Sequence, residues 1–194
     1  MCYSAIYTTT PTINLFASAA QSAGGYLGNM CVGTSANGAS IIINGEDKKV
    51  GGNCKARYIT RRVTLADNFE SGDLRVYLTA YRPVNTDINV YYKILSRNDT
   101  QNFDDGQWQL MTMINSGDST YSQLRSDVYE YTFAPGTNNT ANGYVTYTST
   151  NGQKYTSFSQ FAIKIVLTTT DKTAVPFVSD MRALALPANV NTTV

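Results

Sequence analysis

Residues 73–95 read DLRVYLTAYRPVNTDINVYYKIL, and the alternation of apolar and polar side chains in this stretch decides the fold class. Successive side chains of a β-strand point to opposite faces, so a strand with one buried face shows a period of two. In the first run, the apolar face carries Leu74, Val76, Leu78 and Ala80, and the other face carries Arg75, Tyr77, Thr79 and Tyr81. A second alternating run follows a Pro-Val-Asn-Thr-Asp corner. The stretch therefore predicts two strands, each with one buried face.

Eight runs with this period occur in the chain, each bounded by Gly, Pro, Asn or Asp. They are residues 57–65, 74–82, 87–95, 108–114, 128–133, 144–148, 161–168 and 177–186. Eight short strands predict an all-β domain: an antiparallel two-sheet sandwich, jelly-roll-like or immunoglobulin-like, with a closed barrel as the alternative. The predicted core contains Ile59, Val63, Leu74, Val76, Leu78, Ile88, Val90, Ile94, Ile163, Ile165 and Leu167.

Three parts of the chain differ in their patterning. Residues 1–55 show no sustained period, which predicts an extended N-terminal arm with short strands, ending in the joint GGNCK. Residues 56–187 carry the alternating runs and form the predicted sandwich domain, and residues 188–194 form an aperiodic tail. The arm cannot bury its own apolar groups, so Leu15 and Phe16 must contact a surface of the same or another subunit.

The composition argues against several classes of function. The chain of 194 residues has a net charge of +1 and 15% charged residues, so it lacks the positive field that binds nucleic acid or an anionic membrane. No apolar run reaches the length of about 18 residues that a membrane helix needs. Histidine is absent, which removes the commonest general base and metal ligand. We therefore expect no enzyme activity, no cofactor and no catalytic or metal-binding residue.

Some acidic residues and the cysteines have an ordinary interpretation. Asp99, Asp104 and Asp105 lie in SRNDTQNFDDGQW, where their spacing matches no calcium-binding loop, so we expect them to form turns. Three widely spaced cysteines, Cys54 among them, predict free and mostly buried thiols. The N-terminal MCYSAIYTTTPTI has neither the basic segment nor the apolar stretch of a signal peptide, so we expect synthesis in a reducing cytosol.

Tyrosines are the most unusual feature of the strand faces that should contact water. Tyrosine offers a large apolar area with a polar tip, and aromatic residues are enriched at protein interfaces. The candidate interface residues are Tyr77, Tyr81, Tyr91 and Tyr129 as rings, Trp108 as an anchor, and Arg61 and Arg62 as polar partners at the rim. Two alternatives remain: the rings pair across strands within one domain, or Trp108, Tyr131 and the acidic loop bind a sugar.

Two segments of the chain, residues 51–111 and 161–186, resemble a known family. The similar pieces include YITRRVTLADNFESGDLRVYLTAYRP, NFDDGQWQLM and VPFVSDMRALAL. They resemble a β-domain that recurs in virion structural proteins of contractile-tailed phages, notably cyanophages, where it often closes a much longer chain. The family offers no active-site residues to carry over.

The resemblance implies a non-enzymatic structural protein of the phage tail or baseplate region. Such a protein is made in the host cytoplasm and resides in the virion. Its expected partners are other virion proteins and further copies of itself, with no nucleic acid and no membrane. The alternatives are a carbohydrate-binding receptor module of a fibre or spike, which would bind a glycan, and a capsid decoration protein.

Overall fold

The computed structural model describes residues 45–49, 51–52, 54, 56–114, 121–171 and 173–187. The described residues form strands, loops and short 3-10 turns, which confirms the all-β prediction. Leu15, Phe16 and the tail, residues 188–194, lie outside the described residues. The arm therefore stays a prediction for residues 1–44.

Twelve strands are present in the described residues. They are β1 (Arg57–Ile59), β2 (Val63–Thr64), β3 (Asp73–Tyr81), β4 (Thr86–Leu95), β5 (Gln109–Met113), β6 (Tyr129–Pro135), β7 (Thr140–Ala141), β8 (Tyr144–Val145), β9 (Tyr147–Thr148), β10 (Lys154–Tyr155), β11 (Gln160–Thr169) and β12 (Phe177–Leu186). Two 3-10 turns, Phe103–Asp105 and Thr137–Asn139, precede β5 and β7. Six of the predicted runs are single strands, whereas 57–65 and 144–148 are each divided in two.

Eight strands form one curled antiparallel sheet in the order β1-β11-β4-β5-β6-β3-β12, with β2 also pairing with β11. Strand β5 joins the two halves of the sheet, because Gln109 and Leu110 pair with β4 while Met111–Met113 pair with β6. The sheet curls into an antiparallel half-barrel. Its inner face carries most of the apolar core.

The corner after β3 passes the chain from one half of the sheet to the other. Thr86 closes the turn, since both its N–H and its hydroxyl donate to the carbonyl of Pro83, at 3.2 and 2.7 Å. Asn85 adopts a left-handed conformation with a φ of 65°, which asparagine tolerates better than most residues. As a result β3 and β4 follow each other in the sequence without pairing.

The predicted alternation of β3 is confirmed by burial. Leu74, Val76, Leu78 and Ala80 are all fully buried on the inner face. The predicted core residues of β4 and β11 are buried as well. They are Ile88, Val90 and Ile94 on β4 and Ile163, Ile165 and Leu167 on β11.

The core prediction is wrong for Ile59 and right only in part for Val63. The register of β1 sets Ile59 opposite Lys164 on the outer face, where Ile59 is 42% exposed. Tyr58 lies opposite Ile165 and packs against the core instead. Val63 is partly buried against the core.

Candidate interface surfaces and binding cleft

The outer face of β4 and β11 is covered by the described residues of the segment 45–54 of the same chain, which are 45–49, 51–52 and 54. Lys164 of β11 is fully buried, and its Nζ lies 3.0 Å from Oε2 of Glu46. This ammonium also donates to the carbonyls of Glu46 and Gly51. The other carboxylate oxygen of Glu46 accepts from the N–H of Cys54 at 2.8 Å. A buried ion pair therefore holds the covering segment on the sheet.

Aromatic rings enclose this ammonium and that of Lys93. The Nζ of Lys164 lies 4.6 Å from the ring centre of Tyr91 and 5.1 Å from that of Trp108. Lys93 is also buried, and its Nζ lies 4.9 Å from the ring centre of Trp108. Burial lowers the pKa of both lysines, and for Lys164 the Glu46 carboxylate acts in the opposite direction. The rings and Glu46 offset part of the cost of burying charge.

The solvent-facing position expected for Tyr91 and Trp108 is wrong, because each is 6% exposed beneath the chain's own segment 45–54. Tyr131 lies fully buried on the inner face. Trp108 and Tyr131 therefore offer no exposed platform to a sugar. The free-thiol prediction is wrong for Cys54, which is buried and disulfide-bonded.

The other half of the sheet keeps Tyr77 and Tyr81 at its outer face. Both side chains are half-buried. The guanidinium of Arg182 lies 5.3 Å from the ring centre of Tyr77, and Tyr81 stacks on Phe177 with ring centres 5.3 Å apart. Arg182 also pairs with Glu130. This face of β3, β6 and β12 is the described surface that fits the predicted interface best.

The remaining candidate residues lie elsewhere. Tyr129 stands opposite Ala80, on the inner side of the sheet near its rim, and is 36% exposed. Arg61 and Arg62 are exposed after β1, and Arg62 lies over the ring of Phe103 at 5.7 Å from its centre. The structure therefore does not bring the predicted set together on one surface.

The acidic residues occupy turns, as the sequence predicts. Asp104 and Asp105 lie in a 3-10 turn, and the Asn102 side chain caps it by accepting from the N–H of Asp104 at 3.2 Å. Asp99 is buried and accepts from the hydroxyls of Tyr147 and Ser149, each at 2.9 Å. Asp99 thus fixes the loop before β5 to the strand β9.

A cleft of about 230 Å³ lies beside this network. Its walls come from the 101–107 loop, β4, β5, and residues between 138 and 154. Five of its eleven lining residues carry side-chain amides: Gln101, Gln107, Gln109, Asn138 and Asn139. No sequence pattern indicated this cleft, because its residues come from segments far apart in the chain.

These features define an all-β domain whose buried polar groups hold its loops and strands together. Among residues 45–187 as described, no three His, Cys, Asp or Glu side chains are grouped to hold a metal ion. The same residues include no helix with the length and hydropathy needed to cross a membrane. The chain matches no protein-family model, no curated protein and no solved structure.

Buried phenols make the fold sensitive to alkaline pH. Burial, together with the Glu46 and Asp47 carboxylates, raises the pKa of Tyr91 to about 12. Burial also raises the pKa of Tyr92 and Tyr147. In the unfolded chain the pKa of a tyrosine is about 10, so the folded-state pKa of these phenols lies above the unfolded value. The stability that the protonated phenols contribute is therefore fully present below about pH 10. It is lost as the pH rises through the folded-state pKa. We expect the melting temperature to fall between about pH 10.5 and 12.

The expected fall in melting temperature begins only at about pH 10.5, because below that pH the two buried lysines change the stability in the opposite direction. The lowered pKa of Lys93 and Lys164 makes stability rise with pH until unfolded lysine has lost its proton, near about pH 10.4. Circular dichroism melts and tyrosinate absorbance measure the two effects. Tyr91→Phe should flatten the alkaline loss, whereas Tyr144→Phe, at an exposed ring, should not. Equal alkaline curves for wild type and Tyr91→Phe would contradict the assignment.

Proposed function

We propose that the protein is a non-enzymatic structural component of a phage virion, assembling in the tail or baseplate region with copies of itself and other virion proteins. The resemblance of residues 51–111 and 161–186 to virion β-domains supports this proposal. In it, the two halves of the curled sheet are the layers of a jelly-roll-like sandwich. Residues 1–44 act as an arm that contacts neighbouring subunits.

The edge of β12, which is unpaired among the described residues, is the observation that carries the proposal. In the described part of the chain, β12 pairs with β3 alone, whereas β1 and β2 pair with the far side of β11. Natural proteins protect long sheet edges from pairing with other chains, or use them for it. The register of β12 shifts between Val178 and Asp180, but residues 180–186 run unbroken beside β3. An unbroken edge strand of this length can pair with the strand of another chain.

A second copy of the chain fits this edge. An antiparallel pairing of two β12 strands centred on Ala183 keeps the inner and outer faces of both copies aligned. It sets Leu184 of one copy opposite Arg182 of the other. The outer faces that carry Tyr77 and Tyr81 would then form one continuous surface for further virion proteins.

Leu184→Lys tests this pairing. The new ammonium would face Arg182 of the second copy, and by symmetry the repulsion occurs twice. We expect self-association, measured by size-exclusion chromatography with light scattering, to weaken by about tenfold or more. Val84→Lys introduces the same charge at an exposed position in the corner after β3 and should leave association unchanged.

Cross-linking in purified particles tests the virion assignment separately. The proposal expects cross-links between this chain and neighbouring virion proteins. A strict monomer at all concentrations that joins no particle component would overturn it. Self-association that Leu184→Lys leaves intact would overturn the role of β12 alone.

A further inference from the structure

The cleft beside β5 has the chemistry of a site for a neutral, hydroxyl-rich ligand. Side-chain amides offer a donor and an acceptor close together, which suits adjacent hydroxyl groups. Among the described residues that line the cleft, Lys154 is the one charged side chain, and it is exposed. A phosphate or carboxylate ligand would lack a buried cation here, so the lining favours an uncharged ligand.

An unsatisfied acceptor lies in the wall of the cleft. Oε1 of Gln109 is buried and has no hydrogen-bond partner in the described structure. Gln109 stands opposite Tyr92 on β4, at the inner face of the sheet. A buried acceptor without a donor costs about 1–3 kcal/mol, so a ligand hydroxyl gains correspondingly once the Gln109 side chain turns this oxygen toward the cleft.

The walls of the cleft are held in place before any ligand arrives. The hydroxyl of Tyr147 donates to Asp99 and accepts from the N–H of Ser96 at 2.8 Å. The Tyr147 ring also stacks on Tyr155, with ring centres 5.4 Å apart. Such fixed walls lower the entropy cost of binding.

Gln101 presents its amide in a defined direction. Its Oε1 accepts from the N–H of Thr150 at 3.0 Å and lies 3.1 Å from Oγ of Ser149, whose proton is donated to Asp99. These bonds leave the amide NH2 as the group that a ligand oxygen can reach. Gln101 thus supplies a donor and Gln109 an acceptor to the same cleft.

We infer that this cleft binds one neutral sugar ring of a glycan. The volume of about 230 Å³ is below the roughly 300–1,000 Å³ of pockets for drug-sized ligands, which fits a single ring. The hydroxyls of the ring would meet the NH2 of Gln101 and Oε1 of Gln109. This site differs from a platform on Trp108 and Tyr131, and it does not depend on the virion assignment.

A glycan array with the full-length protein tests the inference. We expect binding to neutral glycans, and titration with the best neutral glycan on the array then gives its affinity. Gln109→Met keeps the length of the side chain but removes the amide, so binding should weaken by about tenfold or more. Gln123→Met makes the same change at an exposed position outside the cleft and should bind like wild type.

A thermal melt separates loss of the ligand contact from loss of structure. Gln109→Met removes an unsatisfied buried acceptor, so its melting temperature should equal or exceed that of wild type. Weaker binding with a preserved melting temperature supports the inference. It would be overturned by an array without neutral binders, by a preference for sialylated or sulfated glycans, or by a Gln109→Met protein that binds as wild type does.

Discussion

Lys164→Met is expected to lower the free energy of unfolding by about 3–5 kcal/mol, because it leaves the Glu46 carboxylate buried without its cation. Both side chains of this pair are at most 1% exposed, so water cannot take over the role of the lost ammonium. Lys164 also donates to two backbone carbonyls of the covering segment. Those acceptors would lose a buried donor at the same time.

Two further variants show whether the cost belongs to the pair. Lys164→Met combined with Glu46→Gln removes both charges and keeps an oxygen for the N–H of Cys54, so it should recover most of the loss. Lys49→Met breaks the exposed pair between Lys49 and Asp105, whose side chains are 60% and 52% exposed, and should change stability by less than about 0.5 kcal/mol.

Urea unfolding under non-reducing conditions measures these differences. The two probes are Trp108 fluorescence and far-ultraviolet circular dichroism. Trp108 lies 5.1 Å from the Lys164 ammonium, so its emission reports on this side of the sheet. Similar losses for Lys164→Met and Lys49→Met would mean that residues 45–54 do not cover β4 and β11.

The ion pair between Lys164 and Glu46 also affects which rings can take part in assembly. Tyr91 and Trp108 can contact another subunit only if the covering segment leaves the sheet. A variant that loosens the segment would therefore expose two rings that the native chain keeps buried. Among the predicted interface tyrosines, Tyr77, Tyr81 and Tyr129 remain for a partner without such a change.

The sequence was sufficient to predict the strands whose two faces differ in polarity. Apolar and polar residues alternate from Leu74 to Tyr81 because one face of the strand contacts the core and the other does not. This contrast can be read directly from the sequence. In the run 57–65, the prediction that Ile59 belongs to the core was wrong because apolar residues there occupy both faces of the strand. The register against β11, which turns Tyr58 rather than Ile59 inward, depends on residues about 100 positions away.

Which side chains are exposed depends on contacts between distant segments, and no local sequence pattern shows these contacts. Tyr91 shares a strand face with polar residues, so its burial could not be foreseen without the aperiodic segment that covers it. The unsatisfied Oε1 of Gln109 likewise could not be predicted from the sequence, because the loops that enclose it come from other parts of the chain. Distant segments therefore decide which polar groups are solvated.

The second large effect is expected for Leu78→Ala, at the centre of β3. Leu78 is fully buried and lies opposite Tyr131 of β6 and Met181 of β12. Removing its side chain leaves a cavity between three strands, and leucine-to-alanine changes in such cores cost about 2–5 kcal/mol. The β-strands around it are fixed on both sides, so little relaxation can refill the space.

Thr79→Ala is the matched control, one residue along the same strand. Its side chain points to the outer face, between Glu130 and Asp180, and the change should cost less than about 1 kcal/mol. Chemical denaturation of both variants gives the two free energies. A slip of β3 by one residue would exchange the faces and reverse the order, so a larger loss for Thr79→Ala would contradict the register. The ratio of the two effects thus measures directly the alternation from which the fold was deduced.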